Sequence, residues 1–152
     1  MTTDEQFMNL ALEQAALAIH HGDVPVGAVL VDQNDEVVAS DHNRREERSD
    51  PTAHAELLVL SARAQQINDW RLSGHTLYVN LEPCVMCAGG IVWSRIDRVV
   101  YGATDFKAGA ALSLYSILGD TRLNHQSEIT DRVLEEECSS LLSEFFASRR
   151  TE

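Results

Sequence analysis

The sequence has little positive charge. Its only lysine is Lys107, and 12 lysine and arginine residues stand against 24 aspartate and glutamate residues, which gives a formal net charge of -12. Proteins that coat nucleic acid need cations to displace the counterions of the phosphates. The composition therefore argues against such a protein and, taken alone, favours a small neutral substrate. The least acidic stretch, residues 94–127, contains four cations: Arg95, Arg98, Lys107 and Arg122. Each of them either contacts a phosphate of a nucleic-acid substrate or belongs to a mixed, solvated face.

The sequence also lacks long apolar runs. No stretch approaches the roughly 18 uninterrupted apolar residues that a membrane span requires, and the start, MTTDEQF, has neither the basic nor the apolar region of a secretory signal. A cytoplasmic protein with no membrane partner is expected. There is no internal repeat, low-complexity segment or linker, so residues 1–152 are expected to form a single domain.

Cysteine is scarce. There are three cysteines, Cys84, Cys87 and Cys138, and this small, odd number does not suggest a disulfide framework. Cys138 falls on an apolar stripe of the last predicted helix, which is completed by Val133, Leu134, Leu141, Leu142, Phe145 and Phe146. We therefore expect Cys138 in the core.

Hydrophobic periodicity predicts an α/β fold. A first helix is expected between a cap at residues 2–4 and Gly22, followed by a hairpin of residues 24–31 and 36–40. A helix is predicted from about Ala53 to Gln65. Strands at 75–80 and 97–103 flank a short helix that begins near Cys84, and this alternation is typical of a mixed sheet.

Cys84 and Cys87 form a C-x-x-C pair whose thiols share one face of that short helix. Alone, the pattern also fits a redox pair or half of a structural zinc site. A redox pair is expected just after the first strand of its domain, and a structural zinc site needs four protein ligands. His54 supplies only a third ligand, which leaves one position for water, as in a catalytic zinc site.

A second ionisable residue, Glu56, stands two residues after His54. On a helix, this spacing would give nearly opposite directions, so Glu56 can face the water rather than bind the metal. A carboxylate there can take a proton from the water and deliver it to a leaving group, which indicates a hydrolytic reaction.

The order H-A-E at 54–56 and P-C-V-M-C at 83–87 resembles the signature of the zinc-dependent nucleoside and nucleobase deaminases. Over nearly its whole length the chain is similar to the TadA-type tRNA adenosine deaminases, through VPVGAVLV, HNR, DPTAHAE, TLYVNLEPCVMCAGG, SRIDRVVYGA, DFKAGA and RLNH. The resemblance implies α-β-α layers, a cytidine-deaminase-like fold with a central five-stranded mixed sheet flanked by helices, and a homodimer. It also implies conversion of the wobble adenosine of a tRNA anticodon to inosine.

The resemblance further implies roles for individual residues. His54, Cys84 and Cys87 would bind one Zn²⁺ per subunit, and Glu56 would be the catalytic proton shuttle. Asn43 and the backbone of Ala55 would contact the flipped base, and Asn124 the anticodon nucleotides. Asparagine is also a common turn former, so a turn at Asn43 and a loop cap at Asn124 remain open.

Two alternatives to a tRNA deaminase remain. The net charge favours a deaminase of a free base or nucleoside, such as guanine, cytosine or cytidine, whereas the RLNH and DFKAGA blocks disfavour it. A non-catalytic zinc or RNA-binding protein would have no use for Glu56. Trp70 and Trp93 are expected in packing or at an interface. The remaining histidines are expected at the surface or in loops: His20, His21, His42, His75 and His125.

Overall fold

The fold is built on a five-stranded mixed sheet. The structure, a computed structural model, describes residues 1–150 and, at residue 150, the backbone alone. The strands are β1 (Gly27–Val31), β2 (Val37–His42), β3 (Thr76–Leu81), β4 (Arg98–Ala103) and β5 (Glu128–Thr130), in the order β2-β1-β3-β4-β5. β1 is antiparallel to β2 and β3, while β3, β4 and β5 run parallel. The expected five-stranded mixed sheet is confirmed.

Five α-helices accompany the sheet in the part of the chain that the structure describes. They are α1 (Thr3–Ala18), α2 (Arg45–Arg48), α3 (Ala55–Ile67), α4 (Val85–Trp93) and α5 (Glu135–Arg150). α1 begins at a capping box, in which the Thr2 hydroxyl accepts from the backbone of Glu5 and the Glu5 carboxylate accepts from the backbone of Thr2. A short 3-10 turn follows α1 and ends at Gly22, which has a φ of 81°.

The helices cover both faces of the sheet, as expected for α-β-α layers. On one face, Met8 and Ala11 of α1 and Cys138 and Leu142 of α5 pack with Val29 of β1. On the other face, α3 and α4 pack against residues such as Leu30, Leu77 and Val99. No helix among the described residues is long and apolar enough to cross a membrane.

The last helix agrees with the expected stripe only in part. Cys138, Leu142 and Phe145 are buried, so the core position of Cys138 is confirmed. Phe146 is 45% exposed, and Val133 and Leu134 precede the helix. Cys138 packs directly against Gly102 of β4, where no Cβ would fit, so this glycine lets α5 approach the sheet.

His42, expected at the surface or in a loop, is instead a buried residue of a strand, and His75, which lies in a loop as expected, is also buried. His42 ends β2, with its Nδ1 3.1 Å from the Gln14 side-chain oxygen. The Nδ1 of His75 lies 3.1 Å from the Leu72 carbonyl, and its Nε2 accepts from the Arg63 guanidinium. Burial of these rings is tolerated because both are hydrogen-bonded, which the sequence pattern does not reveal.

Candidate active site

The N-termini of α3 and α4 meet at one group of metal-binding atoms. His54 immediately precedes α3 and Cys84 immediately precedes α4, both with extended backbone, while Cys87 lies in the first turn of α4. The ligand atoms of His54, Cys84 and Cys87 all lie within 4.8 Å of one another. The sequence prediction of a shared site is therefore confirmed in geometry.

The spacing of these atoms fits zinc. His54 Nδ1 lies 3.6 Å from Cys84 Sγ and 3.4 Å from Cys87 Sγ. A tetrahedral site with Zn–S and Zn–N bonds of about 2.3 and 2.0 Å has sulfur-to-nitrogen edges of about 3.5 Å. Both nitrogen-to-sulfur distances match this geometry, and among the described residues no fourth His, Cys, Asp or Glu joins the group.

The electrostatics of the site favour a metal-binding thiolate. Hydrogen bonding from Cys87 lowers the pKa of Cys84 to about 4, opposed by burial and assisted by His54. Positive potential at a helix N-terminus acts in the same direction. Cys84 is thereby kept in the form that binds a soft divalent ion.

Glu56 lies in the first turn of α3 and is 4% exposed. Burial raises the pKa of its carboxyl to about 7, a value suited to a group that both takes and gives a proton near neutrality. His54 lies before the first residue of α3, so the prediction that helical spacing points the His54 and Glu56 side chains in opposite directions does not apply. The extended backbone at His54, rather than helical spacing, separates the two side chains.

A pocket of about 170 Å³ opens beside these groups. His54, Glu56 and Cys84 line it together with Asn43 and Ala55. Its remaining walls come from Val24, Val26, Arg45, Leu81, Glu82, Asp105 and Ala108. The pocket therefore brings the metal ligands, the buried acid and two of the expected substrate residues to one cavity.

The amide of Asn43 is partly used within the protein. Its Nδ2 donates to the Val24 carbonyl at 3.2 Å, and its Oδ1 accepts from the backbone of Arg45 at 3.1 Å. A primary amide has two N–H groups and two lone pairs. One of each remains for a ligand, so the turn and the base-contact interpretations of Asn43 are compatible.

Comparison with known proteins identifies the family. Residues 1–103 match the model of the cytidine and deoxycytidylate deaminase zinc-binding region. The chain is 49% identical over 150 residues to the tRNA-specific adenosine deaminase of Bacillus subtilis, covering 99% of this chain and 92% of the relative. The chain belongs to the tRNA-specific adenosine deaminase family.

Solved structures agree with this assignment. A structure from studies of A-to-I editing by tRNA:A34 deaminases at the wobble position is 40% identical, with a TM-score of 0.86, and the match covers 90% of this chain and 99% of that one. A guanine deaminase from Nitrosomonas europaea, 24% identical, has a TM-score of 0.81 with 94% and 84% covered. The second likeness shows the common fold alone.

The deaminase places the other expected substrate residues differently. Lys107 is exposed and lies outside the pocket, along a neighbouring groove of about 610 Å³. Asn124 is exposed in the loop between β4 and β5 and is not among the pocket residues. The contact of either residue with substrate stays a prediction.

The other three candidate cations all have partners within the protein. Arg98 makes two hydrogen bonds to Asp4 and one to Thr130. Arg95 lies over the rings of Trp70 and Trp93. These contacts account for both residues without a phosphate, whereas Arg122 is exposed and paired with Asp120.

Two buried acids near the pocket were missed from the sequence. Asp23 accepts from the backbone of Glu46 and Glu47 and so holds the short helix α2. Burial opposes ionisation of Glu82, but hydrogen bonds from Leu112, Ser113 and Asp105 lower its pKa below the usual value. Neither acid belongs to a periodic pattern in the sequence, although Glu82 directly precedes the Pro-Cys pair.

Proposed function

We propose that the protein hydrolyses the 6-amino group of the wobble adenosine in a tRNA anticodon, releasing ammonia and leaving inosine. The observation that carries this proposal is the buried Glu56 beside three metal donors in a pocket that also contains Asn43 and Ala55. Three protein ligands leave a coordination position open for reaction, whereas a structural site is closed. The family relationship supplies the substrate.

His54, Cys84 and Cys87 would hold the Zn²⁺ of each subunit. When bound, the ion supplies the Lewis acidity that activates water as a nucleophile at neutral pH. Glu56 takes a proton from that water and delivers it to the departing amino group. A C–O bond forms at C6 and the C–N bond breaks, so one water is consumed for each ammonia released.

Two protein groups orient the base. Asn43 offers the remaining N–H and lone pair of its amide at the pocket wall. The backbone N–H of Ala55 is at the first residue of α3, where helix geometry leaves amides without intrahelical partners. Both groups suit recognition of a flipped base by its edge.

The groove beside the pocket supports an RNA rather than a free nucleoside. It shares Val24, Leu81, Asp105 and Ala108 with the pocket, and is also lined by Lys107, Arg149, Phe106 and Phe146. Cations and exposed aromatic rings are suited to phosphates and unstacked bases. An anticodon loop is single-stranded and can present both. Lys107 and Arg149 thus provide local positive charge for RNA in a chain whose net charge is negative.

We also infer a homodimer formed through α3 and α4. Trp70 is 49% exposed and Trp93 70% exposed, and with Leu57, Leu60, Ala64 and Gly90 they line an apolar groove on these helices. Exposed apolar patches with large aromatic residues are typical of subunit interfaces. The same helices carry the metal donors at their N-termini, so this interface would lie near the active sites.

Residues 1–152 are proposed to act as one zinc-dependent deaminase domain in the cytoplasm. Both terminal helices, α1 and α5, pack on the same face of the one sheet. The three cysteines are free thiols, and thiolate ligands such as Cys84 persist in a reducing compartment. These features and the proposed tRNA substrate together support a single cytoplasmic domain.

The deciding experiment offers the zinc-loaded protein an anticodon stem-loop with a wobble adenosine, and in parallel free adenosine, guanine, cytosine and cytidine. Inosine is expected in the stem-loop alone, detected by nuclease digestion and mass spectrometry. Deamination of a free base or nucleoside with no activity on the stem-loop would refute the tRNA assignment. A stem-loop with guanosine at the wobble position is the matched control.

A further inference from the structure

Glu82 is a buried charge that the deamination chemistry does not use. It is 2% exposed and lies between the end of β3 and Cys84, yet it is not among the metal donors of the described residues. Its Oε2 accepts from the backbones of Ala111, Leu112 and Ser113 at 3.0, 2.9 and 3.1 Å. Consecutive backbone N–H groups of this kind form an anion-binding concavity.

The other carboxylate oxygen binds the beginning and end of the same segment. Oε1 accepts from the backbone of Asp105 at 3.1 Å and from the Ser113 hydroxyl at 2.8 Å. Every one of these partners belongs to residues 105–113, which we call the 105–113 loop. Hydrogen bonds to a charged acceptor are stronger than neutral ones, so this carboxylate holds one loop rather than a set of unrelated elements.

The backbone next to Glu82 also contacts the loop. The amide of Ala110 donates to the Pro83 carbonyl at 2.8 Å, and Cys84 pairs with Gly109 as an isolated antiparallel bridge. Gly109 packs so closely on the Glu82 carboxylate that no Cβ would fit there. The loop is thereby aligned with the segment that provides the first thiolate ligand.

The loop in turn carries residues of the pocket and of the groove beside it. Asp105 and Ala108 form part of the pocket wall, and Lys107 lies along the adjoining groove. We propose that Glu82 is a positioning residue, which fixes the 105–113 loop so that Lys107 and the pocket wall are preorganised for the RNA. This inference rests on the proposed tRNA substrate.

Glu82→Gln keeps the size of the side chain but directs an amide N–H at backbone N–H groups, so two or three of the five hydrogen bonds are lost. Preorganisation lowers the cost of binding, and its loss is expected to raise the KM for the stem-loop about fivefold or more, with kcat within about twofold. Zinc content should stay at one ion per chain. The exposed Glu36→Gln is the matched control.

Hydrogen exchange tests the loop without any substrate. In Glu82→Gln, the amides of Asp105, Ala111, Leu112 and Ser113 should exchange faster, while those of β3 and β4 remain unchanged. Unchanged loop exchange would overturn the proposal, whatever the kinetics show. If the wild-type protein fails to deaminate the stem-loop, the proposed function fails instead, and exchange still decides whether Glu82 holds the loop.

A double-mutant comparison separates positioning from general damage. Because Glu82 would act through the loop that carries Lys107, the KM effect of Glu82→Gln should be smaller in a Lys107→Ala background. Additive effects, or loss of zinc with an unchanged KM, would refute the role. If Glu82→Gln does not fold, Ser113→Ala decides: a raised KM with faster loop exchange supports the proposal, and wild-type behaviour in both overturns it.

Discussion

Asp4 and Arg98 connect the first turn of α1 to β4 by two hydrogen bonds, from Nη1 to Oδ1 at 2.9 Å and from Nη2 to Oδ2 at 2.7 Å. Tyr78 of β3 donates to the same carboxylate at 2.8 Å. The Arg98 hydrogen bonds lower the pKa of Asp4, against an opposing effect of burial. Arg98, a candidate phosphate contact by sequence, thus joins the N-terminal helix to the sheet.

Asp4→Asn is expected to reduce the free energy of unfolding by about 1 kcal/mol at pH 7, since a partly buried bidentate pair exceeds a typical surface pair. The folded-state pKa of Asp4 lies below its ordinary value of 3.8. Its contribution is therefore complete at neutral pH and is lost as the pH falls from about 4 through the lower folded-state value. Urea unfolding at pH 7 and pH 3 measures both effects.

Asp120→Asn is the control for that prediction. Asp120 also forms a pair with Arg122, at 2.6 Å, but the Arg122 side chain is 87% exposed. Water screens such an exposed pair, so the unfolding free energy should fall by clearly less than in Asp4→Asn. Equal losses from Asp4→Asn and Asp120→Asn would contradict a special role for the pair between α1 and β4.

Cys138→Ser and Cys87→Ser should differ in metal content. Cys87 is one of the three metal donors, whereas Cys138 is buried against Gly102 on the opposite face of the sheet. The Cys138 variant should retain one zinc per chain, and the Cys87 variant should lose it, as measured by elemental analysis after dialysis. Equal metal loss in both would overturn the open three-ligand site.

The sequence located the metal donors and Glu56 because each lies in a short motif at the beginning of a helix. It did not predict α2, a single helical turn whose amides are held by Asp23 some 23 and 24 residues away. It also gave no pattern for β5, since three residues are too few to show alternation. In both cases tertiary contacts, rather than local propensity, determine the structure.

Glu82 shows the same limitation within the site. Its partners are backbone amides 23 to 31 residues further along the chain, and any residue type other than proline offers such a donor. No sequence motif therefore marks the partners. The H-A-E motif indicates Glu56 because the glutamate stands two residues after His54 in the sequence, whereas the contacts of Glu82 depend on how the 105–113 loop folds back.

Glu56→Ala should abolish turnover without releasing zinc. The carboxylate is the only proposed proton carrier, and general acid-base catalysis contributes at least about a hundredfold to rate. Product formation from the stem-loop and zinc content are measured on the same sample. Glu13→Ala, on the exposed side of α1, should behave as wild type. Zinc loss in the Glu56 variant would instead indicate a role in holding the metal site.

Trp93→Glu should dissociate the proposed homodimer. A charge on the apolar groove of α3 and α4 would have to be buried at the interface without a partner, which is strongly unfavourable. Light scattering after size-exclusion chromatography gives the mass across a dilution series. Leu17→Glu is the control and should remain dimeric, because Leu17 lies on the outer side of α1 and is 43% exposed. A wild-type mass equal to the 16.9 kDa chain would refute the dimer directly.

Lys107→Ala should weaken RNA binding in a salt-dependent manner. Lys107 is the cation proposed to meet a phosphate in the groove, and each phosphate contact to a single strand contributes about 0.7 to the slope of log K against log salt concentration. Binding is measured with the inactive Glu56→Ala protein, so that no product forms during the titration. The slope should fall by roughly that amount when Lys107 is removed.

Arg122→Ala provides the comparison for this last measurement. Arg122 is more exposed than most residues, but its guanidinium is hydrogen-bonded to Asp120, so the pair contributes little net attraction for a phosphate. Its removal should leave the slope close to that of the parent protein. If both substitutions reduce the slope equally, the groove at Lys107 has no privileged role, and RNA is held by the general distribution of cations. If neither does, the RNA is bound elsewhere, because the loss of a true phosphate contact must appear in the salt dependence.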